Sequence, residues 1–154
     1  MAIVCLDNND AKKISKKIAE KLNMIFADID DIISQKISEQ DSTETNLEGL
    51  KDAQKALFEE MENFDNTVIC CNVEFLTKDN NLETIKKCSK IIYLKCQKTE
   101  IIQDNLSFNL GYAFDIENEF CEKNADFVVE IAKNSVIDEI LQIIRECLLK
   151  GELV

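Results

Sequence analysis

The chain has 154 residues, 45% of them hydrophobic and 31% charged, with 30 acids against 18 bases and a formal net charge of -12. That size suits one globular domain with a real core, and that charge argues against a nucleic-acid or anionic-membrane surface. Histidine and proline are absent, glycine occurs only as Gly49, Gly111 and Gly151, and arginine only as Arg145; imidazole acid–base chemistry, Ser-His-Asp triads and His-metal sites are thereby excluded, and glycine-rich phosphate loops and guanidinium clamps have few residues to draw on.

Short β-branched runs alternate with longer amphipathic segments. Ala2–Leu6 is a continuous apolar run, the pattern of a buried parallel strand. Asp10 is placed to cap a helix in which Ile14, Ile18, Ala19 and Leu22 recur at helical spacing, and Asn23 suits its C-terminal cap. Met24–Ala27 reads as a second strand, Asp28–Ile37 as a helix or helical turn, and Ser38–Asn46 as a polar loop. Leu50, Ala53, Leu57, Met61 and Phe64 form a helical stripe over Leu47–Phe64. Thr67–Cys71 is the third strand, Leu82–Cys88 a short helix, Lys90–Leu94 the fourth strand and Thr99–Leu106 a further helix. Phe127–Ile131 is the fifth strand, and a helix from about Val136 to Leu149 closes the series. Five buried strands separated by helices define an α/β fold: a doubly wound three-layer α/β/α domain over residues 1–154 with a mainly parallel five-stranded sheet. Such folds bind ligands at the carboxyl ends of their strands, which directs attention to residues 7–13, to Asp28 and Asp30, to residues 72–74 and to residues 96–98.

Cys5, Cys70, Cys71, Cys88, Cys96, Cys121 and Cys147 are odd in number, and no C-x-x-C pair occurs among them. Most sit in apolar runs and read as small core hydrophobes of a reducing, cytoplasmic environment. Cys70 and Cys71, adjacent on a strand, should point to opposite faces, so they read as packed thiols and not as a redox pair. No segment has the pattern of a signal peptide or the length of a membrane span. Asp7, Asp28, Asp30 and Asp31 could converge as a cation site, but a solvated acidic rim is the simpler reading, and no metal is expected.

The strand Ile3–Leu6, the helix Lys16–Leu22 and the stretch Ile25-Phe26-Ala27-Asp28-Ile29-Asp30 together resemble shikimate kinase, of the P-loop nucleoside-monophosphate-kinase-like group. Leu50–Gln54 stands where that family has F-R-x-x-E, residues 66–69 precede the place of its glycine triplet, Ile91–Leu94 matches its next strand and Ala125–Val129 its last. The resemblance implies a P-loop-kinase scaffold, Mg-ATP as cofactor if the chain is active, and phosphoryl transfer to an alcohol group. It also implies roles for particular residues. Asp28 and Asp30 preserve the D-x-D that holds ring hydroxyls and orients the attacking oxygen, so Asp30 is the catalytic candidate and Asp28, Asp30 and Lys51 the substrate-binding ones. A gap-free reading from Ile3 lays the phosphate loop on residues 7–15, with the family's glycines on Asp7, Asp10 and Lys12. Lys13 stands at the lysine position and is a second catalytic candidate; with Ser15 nearby it supplies the nucleotide-side candidates, while the magnesium-ligand hydroxyl becomes Ile14.

The departures concentrate in the chemistry. Non-glycine residues resist the positive-φ geometry of a phosphate nest, and one carboxylate about 4 Å from a phosphate costs roughly 4 kcal/mol at an effective dielectric near 20. The carboxylate-binding arginines of the family fall on Lys51 and Glu117, and its glycine triplet on Asn72-Val73-Glu74. A shortened lid region at about residues 97–119 contains no arginine. The expectation is therefore a catalytically inactive or strongly impaired shikimate-kinase-like protein with a binding or regulatory role and no cofactor. An active small-molecule kinase with an atypical phosphate loop is the alternative. A protein-interaction subunit is a third reading, docking a partner or a second copy through the apolar Phe108–Phe114 region; the same region could instead cover the vacated pocket.

Overall fold

The computed structural model describes residues 1–5, 8–39, 47–61, 64–78, 80–96, 108–131 and 135–151. Its apolar runs form five strands: β1 (Ala2–Cys5), β2 (Ile25–Asp28), β3 (Thr67–Cys71), β4 (Ile91–Lys95) and β5 (Phe127–Glu130). They make one parallel sheet in the order β2-β3-β1-β4-β5. Around it lie α1 (Asn8–Leu22), α2 (Ile29–Glu39), α3 (Leu47–Met61), α4 (Val73–Thr77), α5 (Asn81–Cys88), α6 (Phe108–Asn124) and α7 (Val136–Lys150).

Alternation along each strand builds two cores. Ala2, Ile69, Cys71, Ile91 and Tyr93 pack against α2, α3, α4, α5 and Cys121 of α6. Ile3, Val68, Cys70, Ile92, Leu94 and Val129 face α1 and α7 on the other side. The period of two thus sends Cys70 and Cys71 to opposite layers, as their adjacency on a strand predicts. The helix after β1 lies on one face and the helices after β3 on the other. The crevice between the carboxyl ends of these neighbouring strands is the topological switch point, where open α/β sheets present ligand sites.

Local chemistry sets the helix ends. Asn23 takes a left-handed φ of 54° and ends α1, with Met24 N–H donating to Ala19 C=O at 2.9 Å and Asn23 N–H to Glu20 C=O at 3.3 Å. This is the C-terminal cap expected of Asn23, since asparagine tolerates that geometry better than most residues. Gly151 does the same for α7 at φ 70°. At the other end of α1 the expectation fails: the helix opens at Asn8, so Asp10 lies within its first turn instead of at the N-cap. Its charge still meets the positive end of the helix dipole there.

Two helices were not legible in the sequence. Short α4 is built on a side-chain cap, Asn72 Oδ1 accepting from Phe75 N–H at 2.7 Å. Helix α6 occupies residues read as the second half of a lid. Its inward stripe runs through Phe114, Asn118 and Cys121, and the polar Asn118 interrupts the apolar period that would have announced a helix. The interruption has a structural use, because the phenol of fully buried Tyr93 donates to Asn118 Oδ1 at 3.0 Å and pins α6 to β4. Side chains of residues 108–112 and the helix read over Thr99–Leu106 lie outside the described residues. Within the Phe108–Phe114 region Phe114 is buried and Ala113 exposed. Among the described residues no helix is long and apolar enough to cross a membrane.

Replacing Tyr93 by Phe should remove that hydrogen bond and leave Asn118 with an unmet acceptor. A loss of about 1 kcal/mol is expected, read as a lowered urea midpoint with an unchanged m-value.

Candidate functional site

Asp28, the last residue of β2, has a side chain only 4% exposed, and its carboxylate has several partners. Oδ1 accepts from the backbone N–H of Asp30 at 3.0 Å and of Asp31 at 3.3 Å, which makes Asp28 the N-terminal cap of α2. Oδ2 lies 3.0 Å from the Lys12 ammonium, which also donates to Asp31 at 2.7 Å. The hydrogen bond to Asp31, then that to Asp28, holds the Lys12 ammonium well above the ordinary lysine range. The Lys12 side chain is 44% exposed, so this clamp ties the second turn of α1 to the start of α2 at the solvent margin.

Asp30, in the first turn of α2, is held from the neighbouring strand. Asn72 Nδ2 is 3.0 Å from each of its carboxylate oxygens. Since Asn72 Oδ1 caps α4, one amide joins the beginnings of α2 and α4 across the carboxyl ends of β2 and β3. The sequence places Asn72 in the segment after the third strand and at the first position of a replaced glycine triplet, without a capping role. Its position directly after a buried strand and three residues before Phe75 is the capping signal that would have marked it.

Beneath the two aspartates lie Ser15 and Cys70. Ser15 is completely buried in α1, and its Oγ makes no hydrogen bond of ordinary geometry among the described residues, although it faces the Cys70 thiol. Burial, reinforced by the charge of Asp28, pushes the Cys70 thiol up to about 12, and the Ser15 hydroxyl offsets part of this. Burial likewise raises Cys71, and it raises Cys121 to about 12. These thiols are protonated and inert as nucleophiles at neutral pH. Cys88 is the exposed member among the described cysteines.

The structure thus brings Asp28, Asp30 and Ser15 to one end of the sheet with Lys12, Asp31 and Asn72; the sequence places Lys12 and Asn72 in segments that follow strands and Asp31 in the acidic rim, but gives none of the three a substrate or nucleotide role. Lys13 is elsewhere: its ammonium is 3.7 Å from Asp10 within α1 and its side chain is 73% exposed. Helical geometry separates the two lysines, because successive positions on α1 point about 100° apart. Lys51 belongs to α3, and its side chain lies outside the described residues, as does Asp7. Among the described residues no three carboxylates or thiolates are gathered as a metal site would require.

A parallel sheet of this order, wound on both faces and carrying its polar residues at the switch point, defines the P-loop kinase fold. The chain belongs to the shikimate kinase family, whose sequence pattern matches residues 12–107, more than half of its length. Among solved structures it is similar to the shikimate kinase of Acinetobacter baumannii in complex with shikimate, at 18% identity and a TM-score of 0.70 over 99% of this chain and 94% of that one. The shikimate kinase of Aquifex aeolicus is similar at 17% identity and 0.68, covering 97% and 99%. The fold is shared more widely, with dephospho-CoA kinase from Campylobacter jejuni at 16% identity and 0.65 over 98% of each chain. No curated protein sequence matches the chain.

Two measurements follow from this geometry. Lys12→Ala leaves the buried Asp28 carboxylate with backbone donors alone; since the ammonium is partly solvated, the loss should be about 1–3 kcal/mol, seen as a lower melting temperature. The raised thiols make stability fall on the alkaline side. The unfolded chain gives up its thiol protons near pH 9 while folded Cys70 and Cys121 keep theirs to about 12. Their contribution is therefore complete below about pH 8.5 and declines above it by about 1.4 kcal/mol per pH unit for each thiol. Urea midpoints taken from neutral pH to pH 10.5 should show this decline, and Cys70→Ala should make it shallower.

Proposed function

We propose that this chain is a shikimate-kinase-family domain that no longer transfers phosphate efficiently and acts by binding or in a regulatory role. The observation that carries the reading is the Lys12 clamp: the Asp28 carboxylate has its oxygens taken by an ammonium and by the first N–H groups of α2. A carboxylate so engaged serves the fold first, and its remaining capacity for a substrate hydroxyl is small.

The residues available for Mg-ATP suit it poorly. Only residues 6 and 7 separate the end of β1 at Cys5 from the start of α1 at Asn8. A phosphate-cradling loop needs a longer connection whose successive N–H groups converge on one anion. The first turn of α1 carries Asp10, a charge of the same sign as the phosphates. Ser15, the nearest hydroxyl along the helix to the family's magnesium-ligand position, is buried against Cys70. The family match itself begins at Lys12, so it leaves out the first part of residues 7–15, over which the phosphate loop would fall.

Asp30, cradled by Asn72 and only half-buried, is the group with a role in binding. A carboxylate and an amide side by side offer acceptors and a donor to a polyol or another hydroxyl-bearing small molecule. The alternative, an ATP-dependent kinase on a shikimate-like alcohol with Lys12 or Lys13 on the nucleotide, is favoured by the family membership and by the retained D-x-D.

Isothermal calorimetry and thermal shift with Mg-ATP, with and without shikimate, decide between them. The expected result is no shift at millimolar nucleotide and no ADP formed with shikimate present. Micromolar nucleotide binding that is lost in Lys12→Ala or Lys13→Ala, with turnover of shikimate, would overturn the proposal.

A further inference from the structure

At the end of the sheet opposite Asp28 and Asp30, the segments entering the strands leave a cleft of about 420 Å³. It lies among the residue before β1, the α1–β2 and α3–β3 connections, the end of α5 and the last turns of α7. Leu22, Met24, Phe64 and Leu148 make one wall apolar, and Leu148 is 57% exposed although it borders the cleft. Its rim also carries Lys86, Lys87 and Lys90, with Asp65 as the acidic side chain among the lining residues.

That rim runs against the composition of the chain. In a protein with a net charge of -12, a concave surface with lysines in excess is a local inversion of sign. Two of the lysines are held by partners, Lys86 donating to Asn124 Oδ1 at 3.2 Å and Lys90 lying 3.4 Å from an Asp126 oxygen. Lys87 is exposed and forms no ion pair among the described residues. Apolar side chains and lysines lining one cleft select a molecule with an apolar body and a negative head, and the volume falls in the range of about 300–1,000 Å³ typical of small-molecule sites. A cationic or a wholly polar ligand would leave one side of the cleft unmatched.

We propose that this cleft is a binding site for a free amphipathic monocarboxylate, aliphatic or aromatic, separate from the aspartate end of the sheet. Its apolar part would lie on Leu22, Met24, Phe64 and Leu148, and its carboxylate on Lys87 between Lys86 and Lys90. The site does not depend on whether the chain transfers phosphate.

The test uses the full chain with the fluorescent anion 8-anilinonaphthalene-1-sulfonate as reporter and octanoate as competitor. Octanoate should displace the reporter saturably at or below low millimolar concentration, while octylamine should not. Lys87→Glu and Leu148→Asp should each weaken octanoate by roughly tenfold or more with unchanged far-ultraviolet circular dichroism. Lys13→Glu, the same charge change at the opposite end, should leave octanoate binding as it is. Failure of octanoate to displace, displacement by octylamine as well, or equal affinity in Lys87→Glu would each overturn the assignment.

Discussion

The geometry at the carboxyl ends of the strands depends on one buried carboxylate. Asp28 leaves water at the end of β2 and must find donors there, because an unpaired charge in that position would cost several kcal/mol. Lys12 from α1 and the first N–H groups of α2 supply them. The consequence is geometric. The direction in which α2 leaves the sheet, the approach of α1 to it and the position of Asp30 on the rim all follow from satisfying Asp28. Asn72 extends the arrangement to β3 by holding Asp30 and capping α4 with the two ends of one amide.

This arrangement shows how a family scaffold can persist while residues around its rim change. The sheet is held by two apolar layers whose residues are spread over every strand and most helices. Those layers tolerate changes at the rim, since they need only apolar volume of about the right shape. A phosphate loop tolerates far less, because it requires particular backbone conformations and donors aimed at one point. At 16–18% identity the fold survives, with TM-scores of 0.65 to 0.70 against the kinases compared. The proposed shift from phosphoryl transfer to binding replaces an external anion near α1 with internal pairs, Lys12 with Asp28 and Asp31, and Lys13 with Asp10.

The two ends of the sheet have opposite electrostatic characters. The carboxyl ends gather aspartates whose charge is largely met from within the chain, whereas the amino ends carry a cleft rimmed with lysines. With acids in such excess overall, this separation comes from where the connections fall and not from composition. The end of α5 places Lys86 and Lys87 where its dipole favours cations, and the chain then enters β4 beside Lys90. A helix-stabilising pattern thus also shapes a rim against the apolar wall formed by α1, α7 and the α3–β3 connection.

By itself the sequence determined the class of fold, the five strands to within a residue or two, the helix C-terminal cap at Asn23 and the division of Cys70 from Cys71. Each follows from local rules, namely apolar period, β-branching and capping, that act within a few positions of the chain. It also marked Asp28 and Asp30 through their place after a strand. Tertiary structure alone decided which lysine meets Asp28, because Lys12 and Lys13 differ only by a rotation about α1 whose origin is set by packing Ala11, Ile18 and Ala19 onto the sheet. It alone showed that α6 is a helix, since the Asn118 that breaks its apolar stripe is explained by Tyr93, a residue 25 positions away. And it alone brought Lys87 and Leu148 to the same cleft, a meeting of distant segments that no local pattern in the chain encodes.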